Sequence, residues 1–476
     1  MNGRKFTILH ISDLHKQNED DYENVLQSLK DDCFKYCDDF SLSKPEVIVV
    51  TGDIIKGGTP NEINIQYTQV SDFLNKLTEF FLNNDKSRII IVPGNHDIDW
   101  NRSRAAMIPY KINNEINVLK LLAEDSKLRW SWKDLSLYII RDENLYNARF
   151  DGFINFFNNF YNKIIEYSIN PKEQYTIFDI PDLEVAFAAY NSCYNNDHLN
   201  LIGCINPVCI TKSSDKLAEL HKKGRLLIGA WHHHVSGLPS ENNYLDYRVL
   251  RSMIDKNIQI GLFGHQHECH IINEYKNVVD DKRILLLSSG TLYGDKISLP
   301  SGSQRQYNVI EILPTDTEIH CTIHIREDKS LQLYAIPSWS NGRIEGTSIS
   351  YWSTTLYRTK TDPEIVLNSI IVDAERSNDK EKAIQSLIKL DTNNDFVRKI
   401  LLEYLEETNN YRLIYQYFIE PRNNAEAIIL MDAALNINNY EIIENVLSIS
   451  YIRNNTDPAI LEQIDRLRSR VERKRI

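Results

Sequence analysis

The sequence has no long apolar run. Its longest ones, such as Val47–Val50 and Ile284–Leu287, have the length of a strand, whereas a membrane-spanning helix needs about 20 apolar residues. The N-terminus also lacks the basic start and apolar stretch of a secretory signal, because the strand-like segment Phe6–Ile11 follows almost at once. These features predict a cytoplasmic protein with no membrane segment.

Cysteines that would form a structural zinc site are also missing. The chain has seven cysteines, and neither Cys33 and Cys37 nor Cys204 and Cys209 are followed by a second matching pair. We therefore expect reduced thiols rather than a thiolate metal site or a disulfide framework.

The sequence lacks a surplus of positive charge. Its formal net charge of −12 argues against a surface that attracts nucleic acid everywhere, because such binding depends on Lys and Arg neutralising phosphates. The charge does not exclude a nuclease, since bound divalent cations supply positive charge where the phosphate lies.

The 476 residues are too many for one ordinary core, so more than one domain is expected. Residues 1–326 alternate short β-branched runs with helical patterns, which is typical of a layered α/β domain. The predicted strands are Phe6–Ile11, Val47–Thr51, Arg88–Val92, Val185–Tyr190, Leu226–Ala230, Ile258–Phe263, Ile284–Ser288 and Tyr307–Ile312. Between the third and fourth strands, an insert of about residues 100–180 has a mostly helical pattern and is predicted to form a cap.

The rest of the chain has a different pattern. Residues 327–359 predict a short β or linker segment, and residues 360–476 contain no glycine and have helical periodicity. Turn-prone asparagines recur there about every fifteen residues, the length of one helix and one turn. They are Asn378, Asn393, Asn409, Asn423, Asn438 and Asn454. Stacked helical hairpins of a solenoid are the favoured interpretation, and an irregular bundle is the alternative.

Polar motifs follow five of the predicted strands. Asp13-Leu14-His15 follows the first, and period-two geometry would place Asp13 and His15 on one face. The others are Gly52-Asp53, Gly94-Asn95-His96-Asp97, Trp231-His232-His233-His234 and Gly264-His265-Gln266-His267. One such motif alone is more often a turn. Five of them, each directly after a strand, indicate a shared site.

In this order the motifs resemble those of the calcineurin-like metallophosphoesterases, over about residues 6–312. The resemblance implies a four-layer α/β fold, with two packed β-sheets flanked by helices, and a dinuclear metal site at the strand ends. It implies Asp13, His15 and His267 on one metal, Asn95, His232 and His265 on the other, and Asp53 as the bridge. His232 is favoured because it comes directly after its strand, and His233 is the alternative.

These donors also indicate the metal. A mixture of carboxylate, imidazole and amide ligands suits divalent ions of intermediate character, so manganese is the first expectation, and zinc, iron, cobalt or nickel also fit. Two such ions activate a water molecule, so no Ser or Cys nucleophile is needed.

Four further residues are candidates for catalysis or substrate binding. The resemblance implies that His96 stabilises the transition state and protonates the leaving oxygen, and that Asp97 orients it. Arg102 and Arg104 follow closely enough in sequence to reach a substrate phosphate, although solvated arginines are the alternative.

We expect phosphodiester hydrolysis on nucleic acid or nucleotides, as by a nuclease or phosphodiesterase, in an arrangement that resembles a bacterial defence effector. The alternatives are a phosphomonoesterase acting on phosphoprotein or small molecules, and an interaction module with a dormant catalytic head. The C-terminal helices are expected to bind a protein partner. The basic run at the end of the last helix is suited to contact with phosphate or with an acidic partner. The alternative is a solvated helix end. The run comprises Arg466, Arg468, Arg470, Arg473, Lys474 and Arg475.

Overall fold

The computed structural model describes most of the chain. The described residues are 4–15, 22–111, 122, 127–236, 243–277, 282–293, 299, 304–315, 318–330, 336–344, 347, 349–357, 370–371, 379–390 and 392–475. Contacts divide the chain into two compact units, Met1–Thr359 and Lys360–Ile476. Within the described residues, no helix is long and apolar enough to cross a membrane.

The strands of the first unit are β1 (Phe6–Ile11), β2 (Val47–Thr51), β3 (Ile89–Val92), β4 (Met107–Tyr110), β5 (Leu128–Ser131), β6 (Ser136–Ile140), β7 (Tyr175–Ile180), β8 (Val185–Tyr190), β9 (Leu226–Ala230), β10 (Ile258–Phe263), β11 (Ile271–Asn277), β12 (Lys282–Ser288), β13 (Gln306–Pro314), β14 (Glu318–Asp328), β15 (Trp339–Asn341) and β16 (Tyr351–Tyr357). Its helices are α1 (Tyr22–Phe40), α2 (Pro60–Leu82), α3 (Trp100–Ala105), α4 (Glu143–Asn147), α5 (Asp151–Phe160), α6 (Pro207–Lys222) and α7 (Tyr247–Asp255). All eight predicted strands are present, five of them with the predicted bounds.

Two large sheets are formed by the described strands. The first has the order β15-β14-β13-β1-β2-β3, with β16 also paired to β14, and the second has the order β11-β12-β10-β9-β8-β7. Strands β1, β2 and β3 are parallel to one another, as are β8, β9, β10 and β12. Their near-continuous apolar runs fit strands buried on both faces. Because parallel strands end at the same edge, the loops after them converge.

The two sheets share one core. Val49 and Ile91 of the first sheet belong to the same buried cluster as Phe187 and Ile228 of the second, and helices α1 and α2 pack into this cluster as well. The alternate residues of β8, including Tyr190, pack with helices α6 and α7 on the other face. The result is helix, sheet, sheet and helix in four layers, which confirms the predicted fold class.

The described residues of the insert contain strands as well as the predicted helices. Strands β4, β6 and β5 form a separate antiparallel sheet, and helices α3, α4 and α5 are in the same insert. Apolar and polar residues alternate through Leu128–Ser131, and this period of two favours a strand over a helix. The aromatic residues of α5 are buried in the main core, as expected for a helix that packs one face.

The described strands of segment 327–359 belong to the first sheet. Strand β15 pairs with residues 326–328 of β14, and β16 pairs with residues 318–324 of the same strand. Strand β14 itself was missed in the sequence. These pairings extend the first compact unit to Thr359.

The second unit is helical. Its described helices are α8 (Lys380–Leu387), α9 (Asp395–Glu407), α10 (Tyr411–Phe418), α11 (Asn424–Asn436), α12 (Tyr440–Ser448), α13 (Ser450–Arg453) and α14 (Pro458–Arg475).

A sequence repeat relates some of these helices. The sequence Asn409-Asn410-Tyr411 at the start of α10 recurs 29 residues later at the start of α12. Asn409 and Asn438 both have a left-handed backbone. Buried residues recur at the same spacing, for example Leu401 with Leu430. This repeat favours stacked hairpins. The predicted turn at Asn378 lies outside the described residues.

A buried ion pair joins helix α1 to the first sheet. Arg326 of β14 donates from Nε and Nη2 to the two carboxylate oxygens of Asp32, at 2.8 and 2.6 Å. The hydroxyl of Tyr307 in β13 also donates to Asp32. Asp32 is fully buried and Arg326 is 3% exposed, so each charge depends on the other.

We predict that Asp32→Ala lowers the free energy of unfolding by about 3–5 kcal/mol, because it leaves the guanidinium buried without its carboxylate. Denaturant unfolding followed by circular dichroism measures the loss. Glu173→Ala removes one partner of an exposed pair with Lys212 and should leave the unfolding midpoint unchanged. Equal midpoints for the two variants would contradict the role given to Asp32.

Candidate metal centre

The loops at the carboxyl edge of the strands turn sharply. Asp13, His15, Asp53, His265 and His267 all have positive φ angles, of 53°, 44°, 49°, 81° and 59°. Asp and His tolerate this left-handed conformation better than most residues. The predicted period-two geometry of Asp13 and His15 is therefore wrong, since neither lies in extended backbone. Turns, rather than a continued strand, bring their side chains together.

Two glycines let these loops approach each other closely. A Cβ atom on Gly94 would lie 2.1 Å from the backbone nitrogen and from Oδ1 of Asp53. A Cβ atom on Gly264 would lie 1.8 Å from Oγ of Ser12 and 2.5 Å from Oδ2 of Asp13. Side chains at these positions would push the carboxylates out of place, which gives the motif glycines a physical role.

The first group of donors comprises Asp13, His15 and His267. The Nε2 atoms of His15 and His267 are 2.8 Å apart, and Nε2 of His267 lies 3.3 Å from Oδ1 of Asp13. Among the described residues, no group donates a hydrogen bond to that buried oxygen. Ligands about 2.0–2.2 Å from one ion lie roughly 3–3.5 Å from each other, so the residues present fit a divalent cation.

The second group of donors surrounds Asn95. Its Oδ1 lies 3.0 Å from Nε2 of His232 and 3.1 Å from Nδ1 of His265. Nε2 of His232 is 3.4 Å from Oδ2 of Asp53, and the same oxygen is 3.8 Å from Nε2 of His15 in the first group. The structure thus brings together all seven predicted metal ligands and places Asp53 between the two groups.

The protonation states suit cation binding. Burial lowers the pKa of His15 to about 3 and that of His265 to about 4, which leaves both imidazoles neutral. Burial opposes ionisation of Asp53, but His232 and His96 outweigh it and hold the pKa of Asp53 well below its usual range. Burial also lowers the pKa of His232, but Asp53 outweighs it and raises that pKa to about 9. Metal binding at His232 would therefore release a proton.

The structure distinguishes His232 from His233. Nδ1 of His232 lies 2.8 Å from the carbonyl oxygen of Thr51, so this nitrogen carries the proton and Nε2 faces the donor groups. Nδ1 of His233 instead lies 2.9 Å from Oγ of Ser192. His232, the favoured candidate, is the one placed among the ligands.

Several hydroxyls support these loops, of which those of Ser12 and Thr291 were missed in the sequence. Oγ of Ser12 donates to Oδ2 of Asp13 at 2.5 Å, and Oγ1 of Thr291 donates to the carbonyl oxygen of Asp13 at 2.6 Å. Oγ of Ser192 accepts the backbone N–H groups of His232 and His233, both at 3.1 Å. Thr291 and Ser192 lie just after strands β12 and β8, so their position after parallel strands was a usable signal.

His96 lies beside the ligands with its ring 30% exposed, and its Nε2 is 4.0 Å from Oδ2 of Asp53. Its Nδ1 contacts the carbonyl oxygen of Lys56 at 3.2 Å. The prediction that Asp97 orients His96 is therefore corrected, because the contact on Nδ1 is with Lys56.

The Asp97 carboxylate instead accepts hydrogen bonds from the backbone nitrogens of Gly94, Ile54 and Ile55 and from the Tyr67 hydroxyl. A tight turn at Asn95–Asp97 sends His96 outward and Asp97 inward. Burial and the nearby Asp53 raise the pKa of Asp97 to about 7.

The two predicted phosphate-binding arginines contact the insert. Arg102 pairs with Asp151 and lies 3.4 Å from Asp99, and it donates to the carbonyl oxygen of Ala148 at 2.9 Å. Arg104 is exposed and reaches Asn101 at 3.4 Å. In the described residues neither guanidinium hydrogen bonds to a metal-ligand candidate.

We predict that His232→Asn reduces the bound metal to fewer than two ions per chain, while His233→Asn keeps two. Asparagine retains a polar group near Nδ1 in both variants, but it removes the Nε2 atom that faces the donors only at His232. Elemental analysis of the metal-loaded proteins measures the difference. Loss of an ion from the His233 variant alone would reverse the assignment.

Some proteins of known structure are similar to this chain. Solved structures similar to this chain include a dimetal phosphatase from Danio rerio, at 13% identity over 66% of this chain and 95% of that chain, with a TM-score of 0.36. The TT1561 protein of Thermus thermophilus matches at 11% identity, 64% and 94% coverage and a TM-score of 0.30. A predicted phosphoesterase from Streptococcus pneumoniae TIGR4 matches at 10% identity, 75% and 99% coverage and a TM-score of 0.25. These TM-scores are too low to carry an argument.

None of the curated protein sequences compared with the chain matches it significantly. The decisive comparison is with a family model. Residues 6–269, more than half of the chain, match the model of the calcineurin-like phosphoesterases, a family that implies two divalent metal ions. The matched region contains all seven of the converging donors. The chain therefore belongs to the calcineurin-like phosphoesterase family.

Proposed function

We propose that this protein hydrolyses phosphodiester bonds in nucleic acid or nucleotides, with two divalent metal ions at the centre. The observation that carries the proposal is the position of Asp53, whose Oδ2 lies 3.4 Å from His232 in one group and 3.8 Å from His15 in the other. Two ions bound there lower the pKa of a water molecule and neutralise charge on the phosphoryl oxygens. Manganese is the proposed metal, because the donors mix carboxylate, imidazole and amide.

The side chains then have distinct tasks. The two donor groups would hold the ions, which would orient the phosphate, and the exposed edge of His96 would face the leaving group. Because a carbonyl oxygen only accepts hydrogen bonds, the contact with Lys56 keeps one proton on Nδ1 of His96. When the ring carries a second proton, Nε2 holds it and can pass it to the leaving oxygen.

The placement of Arg102 supports a diester over a monoester. A phosphomonoester is a dianion near neutral pH and benefits more from a fixed guanidinium than a singly charged diester does. Arg102, the nearer of the two predicted contacts in sequence, is held by Asp151 and Asp99. A phosphomonoesterase is the main alternative outcome of a substrate survey.

The second unit is consistent with the proposal of a large substrate or a protein partner. Its repeated hairpins resemble arrays that bind through extended surfaces, and its last helix ends in a basic run. Within that run, Arg466, Arg468 and Arg470 each pair with an acidic neighbour. The proposed contact with phosphate or an acidic partner includes the end of the run, Arg473, Lys474 and Arg475. A catalytic unit joined to such a unit fits a regulated effector, including one of bacterial defence.

The substrate proposal is tested with manganese-loaded protein and a panel of linear and circular DNA, RNA, cyclic nucleotides, an aryl phosphodiester and an aryl phosphomonoester. Cleavage of one of the diester substrates should exceed cleavage of the monoester. Preference for the monoester would refute the diester proposal.

We predict that His96→Ala keeps both metal ions and lowers turnover of a natural diester by roughly 10²–10⁴-fold, the usual range for a positioned acid–base group. An activated aryl diester, whose leaving group needs no proton, should lose less. Parallel elemental analysis and steady-state kinetics measure both effects. Loss of an ion would place His96 among the ligands.

For the tail, we predict that replacing Arg473, Lys474 and Arg475 with glutamine weakens DNA binding and makes it less dependent on salt, because fewer phosphates are neutralised. Hydrolysis of a small aryl diester should not change. The matched control replaces Lys382, Lys389 and Lys399, three exposed lysines of the same unit, with glutamine. Equal effects of the two triple variants would mean that total charge alone matters.

A further inference from the structure

Gln66 is a buried amide beneath the loop that follows β2. It lies on helix α2 and is 3% exposed. Its Oε1 accepts the backbone N–H of Lys56 at 3.0 Å, and its Nε2 donates to the carbonyl oxygen of Gly57 at 3.0 Å. Both ends of one side chain therefore hold consecutive residues of the loop. Only an amide provides a donor and an acceptor in this arrangement.

The loop held by Gln66 presents a hydrogen-bond acceptor to His96. The carbonyl group of Lys56 lies between the two backbone groups that Gln66 holds, and its oxygen contacts Nδ1 of His96 at 3.2 Å. Gly57 has a φ angle of 81°, and a Cβ atom there would lie 3.2 Å from the carbonyl oxygen of His96. The loop thus lies against His96 at both its ring and its backbone.

Other contacts of the His96 ring are less directional. The ring meets His15 edge to face, with centroids 4.9 Å apart, and lies 5.9 Å from the ring of Trp100. These contacts limit the positions that the ring can take, whereas the hydrogen bond to the Lys56 carbonyl oxygen is specific to Nδ1. The orientation of this carbonyl group decides which ring nitrogen of His96 faces Asp53.

We propose that Gln66 is a positioning residue for His96, acting through the peptide between Lys56 and Gly57. By fixing the Lys56 carbonyl, Gln66 keeps one proton of His96 on Nδ1. Nε2 then carries the second proton of the imidazolium, and its transfer to the leaving oxygen returns the ring to the form protonated on Nδ1. This task is the one that the sequence motif assigned to Asp97. The proposal rests on the proposed function for its kinetic consequence, but its structural content concerns only the imidazole.

The variant for the test is Gln66→Met, which keeps the length of the side chain and removes both hydrogen bonds. Turnover of a diester with a poor leaving group should fall about 10- to 100-fold, because small displacements of a catalytic group have effects of this size. Turnover of an activated aryl diester should change little, and the metal content should stay at that of the wild type. Gln69→Met, three residues further along the same helix, controls for a general effect of the substitution.

A double-mutant comparison separates positioning from stability. If Gln66 acts through His96, adding Gln66→Met to His96→Ala should cause no further loss of turnover. An equal loss in the presence and absence of His96 would overturn the proposal. So would an equal loss for both leaving groups.

A spectroscopic measurement tests the same idea without hydrolysis. In full-length protein with ¹⁵N-labelled histidine, the signals missing from His96→Ala identify the His96 ring. Wild type should show a protonated Nδ1, and Gln66→Met should show a shift towards the other tautomer or exchange between the two. An unchanged tautomer would overturn the proposal, whereas a hydrolytically inactive wild type would overturn only the proposed function.

Discussion

The Asp53 carboxylate is the group on which the candidate site depends. Its Oδ2 faces imidazoles of both donor groups, and its Oδ1 accepts the backbone N–H of His96 at 2.8 Å. The backbone carbonyl oxygen of Asp53 accepts the backbone N–H of His15 at 2.9 Å. A buried carboxylate needs compensating positive charge, and the surrounding histidines provide only part of it without a cation. The loops after β1, β2 and β3 are therefore arranged around this carboxylate.

The fold provides the rigidity that this arrangement needs. Left-handed backbone at five ligand positions costs free energy and persists only where the surrounding structure enforces it. Here the parallel strands beneath the loops are fully buried, and hydrogen bonds such as that from Asp13 to the carbonyl oxygen of Gly52, at 3.1 Å, connect one loop to the next. Helix α2 adds a second layer of support through Gln66 and Tyr67. The position of each ligand thus follows from the sheets and from the helix behind them.

The sequence predicts the parallel strands and the convergence of the seven donor residues well because both are local signals. Buried parallel strands appear as short β-branched runs, and a polar residue directly after each run marks the shared edge. Features that depend on tertiary contacts are harder to predict. The hairpin of the insert and strand β14 were missed, and the contact partner of Asp97 was assigned wrongly, because a carboxylate pairs with whatever the fold brings near. Asp97 is adjacent to His96 in sequence, yet the tight turn points the two side chains in opposite directions.

We propose that Asp53 joins two metal sites. Anomalous X-ray diffraction at the manganese edge, from crystals of the metal-loaded protein, measures this directly. We expect two anomalous peaks about 3.5–4 Å apart, as in other two-metal centres, with the Asp53 carboxylate between them, Asp13, His15 and His267 around one, and Asn95, His232 and His265 around the other. A single peak, or two peaks with Asp53 bound to only one of them, would contradict it.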